Sequence, residues 1–165
     1  MPDLRFIHLT ADDESSLQDQ PDYRAAMASG DWAALAAVMQ RCFVDVEQRP
    51  TQAATPDTWG GCLAVETETG TAVGSCGFKG PPDAQGHVEI AYLTYPGYEG
   101  QGHATRMAQH LIQHAAQRDG VSRIIAHTLP EPNASTRVLE KAGMTKVGGV
   151  KDPDDGAVWR WEMRL

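Results

Sequence analysis

The residues that most invite a chemical reading are Tyr95-Pro96-Gly97-Tyr98-Glu99-Gly100-Gln101-Gly102-His103-Ala104-Thr105. They lie between a strand-like run, Val88 to Tyr95, and a helical stripe of Ala104, Met107, Ala108, Leu111, Ile112, Ala115 and Ala116. A turn that enters a helix offers unpaired backbone N–H groups and the positive end of the helix dipole, which together attract phosphate oxygens. Glycines let the backbone come close to such an anion. The candidate donors are the amides of Gly100, Gln101, Gly102, His103, Ala104 and Thr105. A P-loop is excluded, because counting from Gly97 puts His103-Ala104 where Lys and Ser or Thr are needed. A dinucleotide fingerprint from Gly100 meets Thr105 where Gly or Ala is required. A plain strand-to-helix turn stays open.

Other side chains have two readings each. Glu89 is the only acid in the Val88–Tyr95 strand, on one face with Ala91 and Leu93. It reads as a base or as a solvated carboxylate. Asn133 and Ser135 open a short helix that ends at Gly143. Each is a ligand contact or a first-turn group satisfying helix N–H donors. His110 and His114 stand one helical turn apart, but the sequence offers no evident third metal ligand, so a solvated helix face is expected. Cys42, Cys62 and Cys76 lack CxxC spacing and any adjacent His or basic flank, which predicts reduced, buried thiols.

The elements that must position these residues can be read from periodicity and turn signals. Leu4–Leu9 predicts a strand, followed by an acidic, Pro-containing segment from Asp12 to Asp22. Asp31 caps a helix whose apolar side is Trp32, Leu35, Ala36, Met39 and Phe43. Arg49–Gly61 predicts a loop. Cys62–Glu66 and Thr71–Phe78 form a hairpin around Thr67-Glu68-Thr69-Gly70. Ser122–Thr128 is a strand. Met144–Val150 and Ala157–Leu165 are the last two, the final one with Ala157, Trp159, Trp161, Met163 and Leu165 on its buried face. Strands joined by hairpins and by helices predict a mixed α/β sheet.

With 165 residues the chain suits one domain, spanning 1–165. An apolar share of 41% argues against disorder, and the short apolar runs argue against a membrane span. The formal charge of −8 argues against a nucleic-acid surface and mildly favours cationic small substrates. The first residues, Met1 to Glu14, lack a basic region and a long apolar run, so no signal peptide is expected and the predicted location is cytoplasmic.

Glu99-Gly100-Gln101-Gly102-His103-Ala104 resembles the acyl-CoA pyrophosphate loop, Q/R-x-x-G-x-G/A, of the GNAT N-acetyltransferase superfamily. Glu89-Ile90-Ala91-Tyr92 and the segment Ser135 to Met144 resemble the branch that includes the ribosomal-protein N-terminal alanine acetyltransferases. Three features differ. Glu99 stands where relatives carry Gln or Arg, so its carboxylate must point away from phosphate. Asn133 is two residues before Ser135 rather than three. The Asn133–Gly143 helix has no tyrosine, where many relatives carry a general acid.

The resemblance implies a GNAT-like, mostly antiparallel sheet with helices on both faces. It implies acetyl transfer from acetyl-CoA to a primary amine in a ternary complex, without metal. Glu89 becomes the expected base and Ser135 a candidate acid for the leaving thiolate. Leu93 and Thr94 become pantetheine contacts, with the Leu93 N–H as oxyanion donor, and Asn133 a further cofactor contact. The expected partners are acetyl-CoA and an amine, with a homodimer as an open assembly and neither nucleic acid nor membrane. The acceptor is expected between the Trp32 helix, with the loop after it, and the final strand pair, whose turn Lys151-Asp152-Pro153-Asp154-Asp155-Gly156 is acidic or simply a solvated turn. A non-catalytic acyl-CoA sensor and a nucleotide-binding α/β protein remain alternatives.

Overall fold

The computed structural model describes residues 2–43 and 59–165. In chain order the elements are β1 (Leu4–His8), α1 (Ala11–Gln18), α2 (Pro21–Ser29), α3 (Trp32–Cys42), β2 (Gly61–Glu66), β3 (Ala72–Phe78), β4 (His87–Thr94), α4 (His103–Ala116), β5 (Arg123–Thr128), α5 (Ala134–Lys141), β6 (Thr145–Asp152) and β7 (Gly156–Arg164). The strands form one seven-stranded sheet in the order β1-β2-β3-β4-β5-β7-β6. Only β4 and β5 run parallel; the other neighbours are antiparallel. The mixed, mostly antiparallel α/β architecture is the one expected.

Side-chain alternation gives the sheet a core on each face. On one, Val88, Ile90, Ile124 and Ala126 pack against Met107, Ala108, Leu111 and Ala115 of α4 and Leu139 of α5. On the other, Ile7, Leu63, Val65 and Tyr95 pack against Leu17 of α1, Ala26 of α2 and Leu35, Val38 and Met39 of α3. Burying each large aliphatic side chain contributes about 1.5–3 kcal/mol, so β4 is held chiefly through the face that carries Val88 and Ile90.

Two helices occupy the acidic segment for which no helix was expected. Thr10 and Asp13 close a reciprocal capping box at the start of α1, whose first turn holds Asp12, Asp13 and Glu14. Pro21 begins α2 and Gly30, at φ 68°, ends it. The periodic signal is faint because α1 buries only Leu17 and α2 only Ala26. The expected cap of α3 is present, with the Asp31 carboxylate accepting from the Ala34 N–H at 3.0 Å. The predicted loop Arg49–Gly61 lies mostly outside the described residues.

The last strand also departs from its expected single buried face. Trp161 is buried, but so is Val158 on the opposite face, while Ala157 is exposed. Covering on both sides blurs the period-two pattern. Among the described residues, no helix is long and apolar enough to cross a membrane.

Candidate active site

The parallel pairing of β4 with β5 covers only His87↔Arg123, Val88↔Ile124 and Glu89↔Ile125. Beyond Glu89 the strands separate, and a cavity of about 640 Å³ opens between them. Its walls include Glu89, Tyr92, His127, Asn133, Ser135 and Asp155. A second cavity of about 510 Å³, lined by Leu17, Tyr23, Met27, Trp32, Leu35 and Met39 among others, shares Trp32, Lys79, Ala91 and Tyr92 with the first.

The backbone of β4 has a definite orientation. The Lys79 N–H donates to the Glu89 carbonyl and the Tyr95 N–H to the Val73 carbonyl, in register with the Leu93↔Ser75 pair. Backbone groups alternate sides along a strand, so those of Glu89, Ala91, Leu93 and Tyr95 point to β3. The Leu93 N–H therefore belongs to the ladder, not to an oxyanion site. The groups that face the opened edge are those of Tyr92 and Thr94.

Glu89 is not a free carboxylate. Its Oε1 lies 2.7 Å from Lys79 Nζ and 2.8 Å from His127 Nδ1. Burial pulls the Lys79 ammonium down, but the Glu89 hydrogen bond and charge, with Asp152 and Asp155, hold it above its usual range. An ionised carboxylate only accepts, so Nδ1 of His127 must carry the proton. In the neutral imidazole its Nε2, which has no hydrogen-bond partner among the described residues, is then the lone-pair nitrogen. Nothing local in the sequence marks His127; parallel pairing alone brings β5 beside Glu89.

Ser135 faces a tyrosine from another element. The Tyr92 hydroxyl lies 2.9 Å from Ser135 Oγ. Burial raises the Tyr92 phenol above its usual range, against the lowering effect of Ser135, so it stays protonated. The tyrosine absent from α5 thus has a counterpart on β4. Asn133 is taken up by capping: its side chain accepts from the Thr136 N–H, and its own N–H donates to Thr136 Oγ1, both at 3.0 Å. The Asn133 side chain is closed onto α5.

The glycine-rich turn leads into α4. Gly97, Gly100 and Gly102 have φ of 91°, 75° and 83°, a region side chains with a Cβ rarely enter. Gly102 is the N-cap of α4, and no side chain caps it. The first N–H groups of the helix, those of His103, Ala104 and Thr105, have no carbonyl one turn back. Glu99 turns away as required, its carboxylate accepting from the Gly97 N–H at 2.7 Å. The His103 side chain is buried, 3.4 Å from Glu66, so only its backbone faces the turn.

The expectation for the α4 histidines fails. His114 is buried, and His110 stacks on Phe6 at 4.0 Å, because this helix face covers β1 rather than solvent. The three thiols are free, and Cys62 and Cys76 are buried as expected, but Cys42 is only half-buried and Cys62 has a histidine beside it in space, His8 Nδ1 at 3.2 Å. The expected acceptor walls are present in part. Trp32, Leu35 and Met39 line the second cavity, whereas the final strand pair contributes only Asp155 and Val158, to the first. The loop after α3 lies outside the described residues.

Known proteins resemble this chain in sequence and fold. The uncharacterized N-acetyltransferase YjdG of Bacillus subtilis is 36% identical over 87 residues, 53% of this chain and 50% of that one. The chain thus spans about half the length of this relative. An acetyltransferase of the GNAT family from Bacillus anthracis superposes with a TM-score of 0.56 at 25% identity, over 63% of this chain and 65% of that one. RimJ of Mycobacterium smegmatis, in complex with CoA-disulfide, shares the fold with a TM-score of 0.54 at 22% identity, over 64% and 52%. The family model for the acetyltransferase (GNAT) domain matches residues 3–145, taking in the uncapped turn, the parted strands and the Glu89–His127 and Tyr92–Ser135 pairs, and the chain belongs to that family.

Proposed function

We propose that this protein transfers an acetyl group from acetyl-CoA to a primary amine, directly, in a ternary complex. The observation that carries this reading is the early end of the β4–β5 ladder, with a cavity between a Glu89–His127 pair and a Tyr92–Ser135 pair. The pyrophosphate sits on the amides of Gly100 to Thr105, and the Thr94 backbone meets pantetheine. Residues 1–165 act as one domain, in the cytoplasm.

His127 Nε2 takes the proton of the attacking amine, directly or through water. Glu89 positions the ring and stabilises the imidazolium that forms, which is the logic of carboxylate-oriented histidines elsewhere. The amine nitrogen bonds to the thioester carbon, and the carbon–sulfur bond breaks. The thiolate receives a proton from the Tyr92–Ser135 pair, giving CoA thiol and an amide. Backbone N–H groups of Tyr92 and Thr94 are the donors for the carbonyl oxygen in the transition state. The apolar walls of the second cavity suit an amine carried on an apolar body.

A panel of amines with thiol-release detection tests the reading. With an accepted amine, His127→Gln should lower kcat by roughly 10²-fold or more, the usual range for general acid–base catalysis, while acetyl-CoA KM stays within about threefold. Glu89→Gln should lower kcat less, since the imidazole remains. Wild-type turnover by His127→Gln removes it as base. No turnover with any amine, alongside tight CoA binding, leaves the sensor reading standing.

A further inference from the structure

We propose that His8, Cys62 and His110 form a binding site for one zinc-class divalent cation, apart from the acetyl-transfer cleft. His8 ends β1 and pairs directly with Cys62 at the start of β2. His110 comes from the middle of α4, which lies across these strands. One ligand atom from each of the three lies within 4.8 Å of the others. His8 Nδ1 and Cys62 Sγ are 3.2 Å apart. Tetrahedral zinc, with bonds of about 2.0–2.1 Å to nitrogen and 2.3 Å to sulfur, needs about 3.6 Å between such atoms, a few tenths of an ångström more.

The site has features that ordinary packing does not require. His110 Nε2 is buried and, among the described residues, has no hydrogen-bond partner, which burial of a polar atom normally forbids. Phe6 stacks on the His110 ring at an interplanar angle of 9°, fixing the plane in which that nitrogen points. Cys62 is 2% exposed. Cys76 stands opposite Cys62 across β2 and β3.

Two imidazoles and one thiolate form a borderline-soft donor set. Calcium and magnesium, which take oxygen ligands, do not suit it. Zinc does, with water completing the tetrahedron from the side where His8 and His110 are half-buried. Binding releases the Cys62 thiol proton to solvent and changes no oxidation state. The cation would join β1, β2 and α4, the helix that starts at the glycine-rich turn.

Chelator-stripped, tag-free protein titrated with Co²⁺ provides the test. One equivalent should give the visible bands of a tetrahedral site and a thiolate-to-cobalt charge-transfer band, both abolished by Zn²⁺. Cys62→Ala and His110→Ala should each weaken binding by at least about tenfold, the scale on which a site's affinity responds even to outer groups. Cys42→Ala, whose sulfur accepts from Gln20 elsewhere, should leave it unchanged. If Cys62→Ala does not fold, His8→Ala, at a half-buried position, is read in its place. Absence of the cobalt bands in the wild type overturns the proposal. So does wild-type affinity in the variants, or saturation by Cu⁺ but not by zinc or cobalt.

Discussion

Two helices of the fold begin in opposite ways. At α4 the N-cap is Gly102, in the left-handed region, with no side chain closing the turn. At α5 the N-cap is Asn133, and its box with Thr136 satisfies one donor at each of two positions. A helix start with bare N–H groups must find an acceptor, and no side chain among the described residues caps this one, which leaves room for solvent or a ligand. A closed start has no such need. On the proposed reading, anion binding falls to backbone at α4, and side chains at α5 have a structural duty. That difference matters because the two segments look equally suited to cofactor contact in the sequence.

The largest expected effect comes from closing α4. Gly102→Val places a β-branched residue at φ 83°, where a side chain costs about 1–2 kcal/mol in backbone strain, and it crowds the bare amides. CoA affinity, measured by calorimetry, should fall by well over tenfold, each decade being about 1.4 kcal/mol. Unchanged affinity in the folded variant would break the assignment of the anion to this turn.

Removing the closure of α5 should be felt in stability instead. Asn133→Ala loses a cap worth about 1 kcal/mol, so the denaturation midpoint should drop. CoA affinity should hold within about twofold, a change of well under about 1 kcal/mol. A tenfold loss of CoA binding at unchanged stability would return Asn133 to the cofactor.

Legibility in the sequence divides along the same line between backbone and side chain. The turn from Gly97 to Gly102 announces itself because glycine marks left-handed backbone wherever it occurs. The stripe of α4 and the hairpin of β2 and β3 rest on local periodicity and turn chemistry. The site's side-chain pairs do not. His127 meets Glu89, and Tyr92 meets Ser135, only through the order of strands and the docking of α5. Tyr92 stands in plain view in the sequence, yet the family pattern points to a tyrosine on the helix. His8, Cys62 and His110 are likewise far apart in sequence and adjacent only in the fold. Helices α1 and α2 are obscured for another reason: each turns a single small or aliphatic contact to the core.

The smallest effect concerns a third closed structure, the acidic turn between β6 and β7. Asp152 Oδ1 accepts from the N–H groups of Asp154 at 2.8 Å and Asp155 at 3.0 Å. The Asp155 and Asp154 amides, with help from Lys79, hold its carboxyl below the usual carboxylate range. The folded chain therefore binds this proton less readily than the unfolded chain. The stabilisation is present above the unfolded value, near 3.9, and is lost as pH falls through the lower folded one. Asp152→Asn keeps an acceptor but removes the titration, so acid denaturation should become slightly shallower below about pH 4. Both carboxylates act on Lys79, but Asp155 differs in lining the β4–β5 cavity. With a cationic acceptor, Asp155→Asn should raise acceptor KM and weaken its dependence on salt, while Asp152→Asn leaves both alone. Equal KM effects from the two variants would mean that the turn works through its overall charge. No effect from either would leave recognition to the apolar wall of Trp32, Leu35 and Met39.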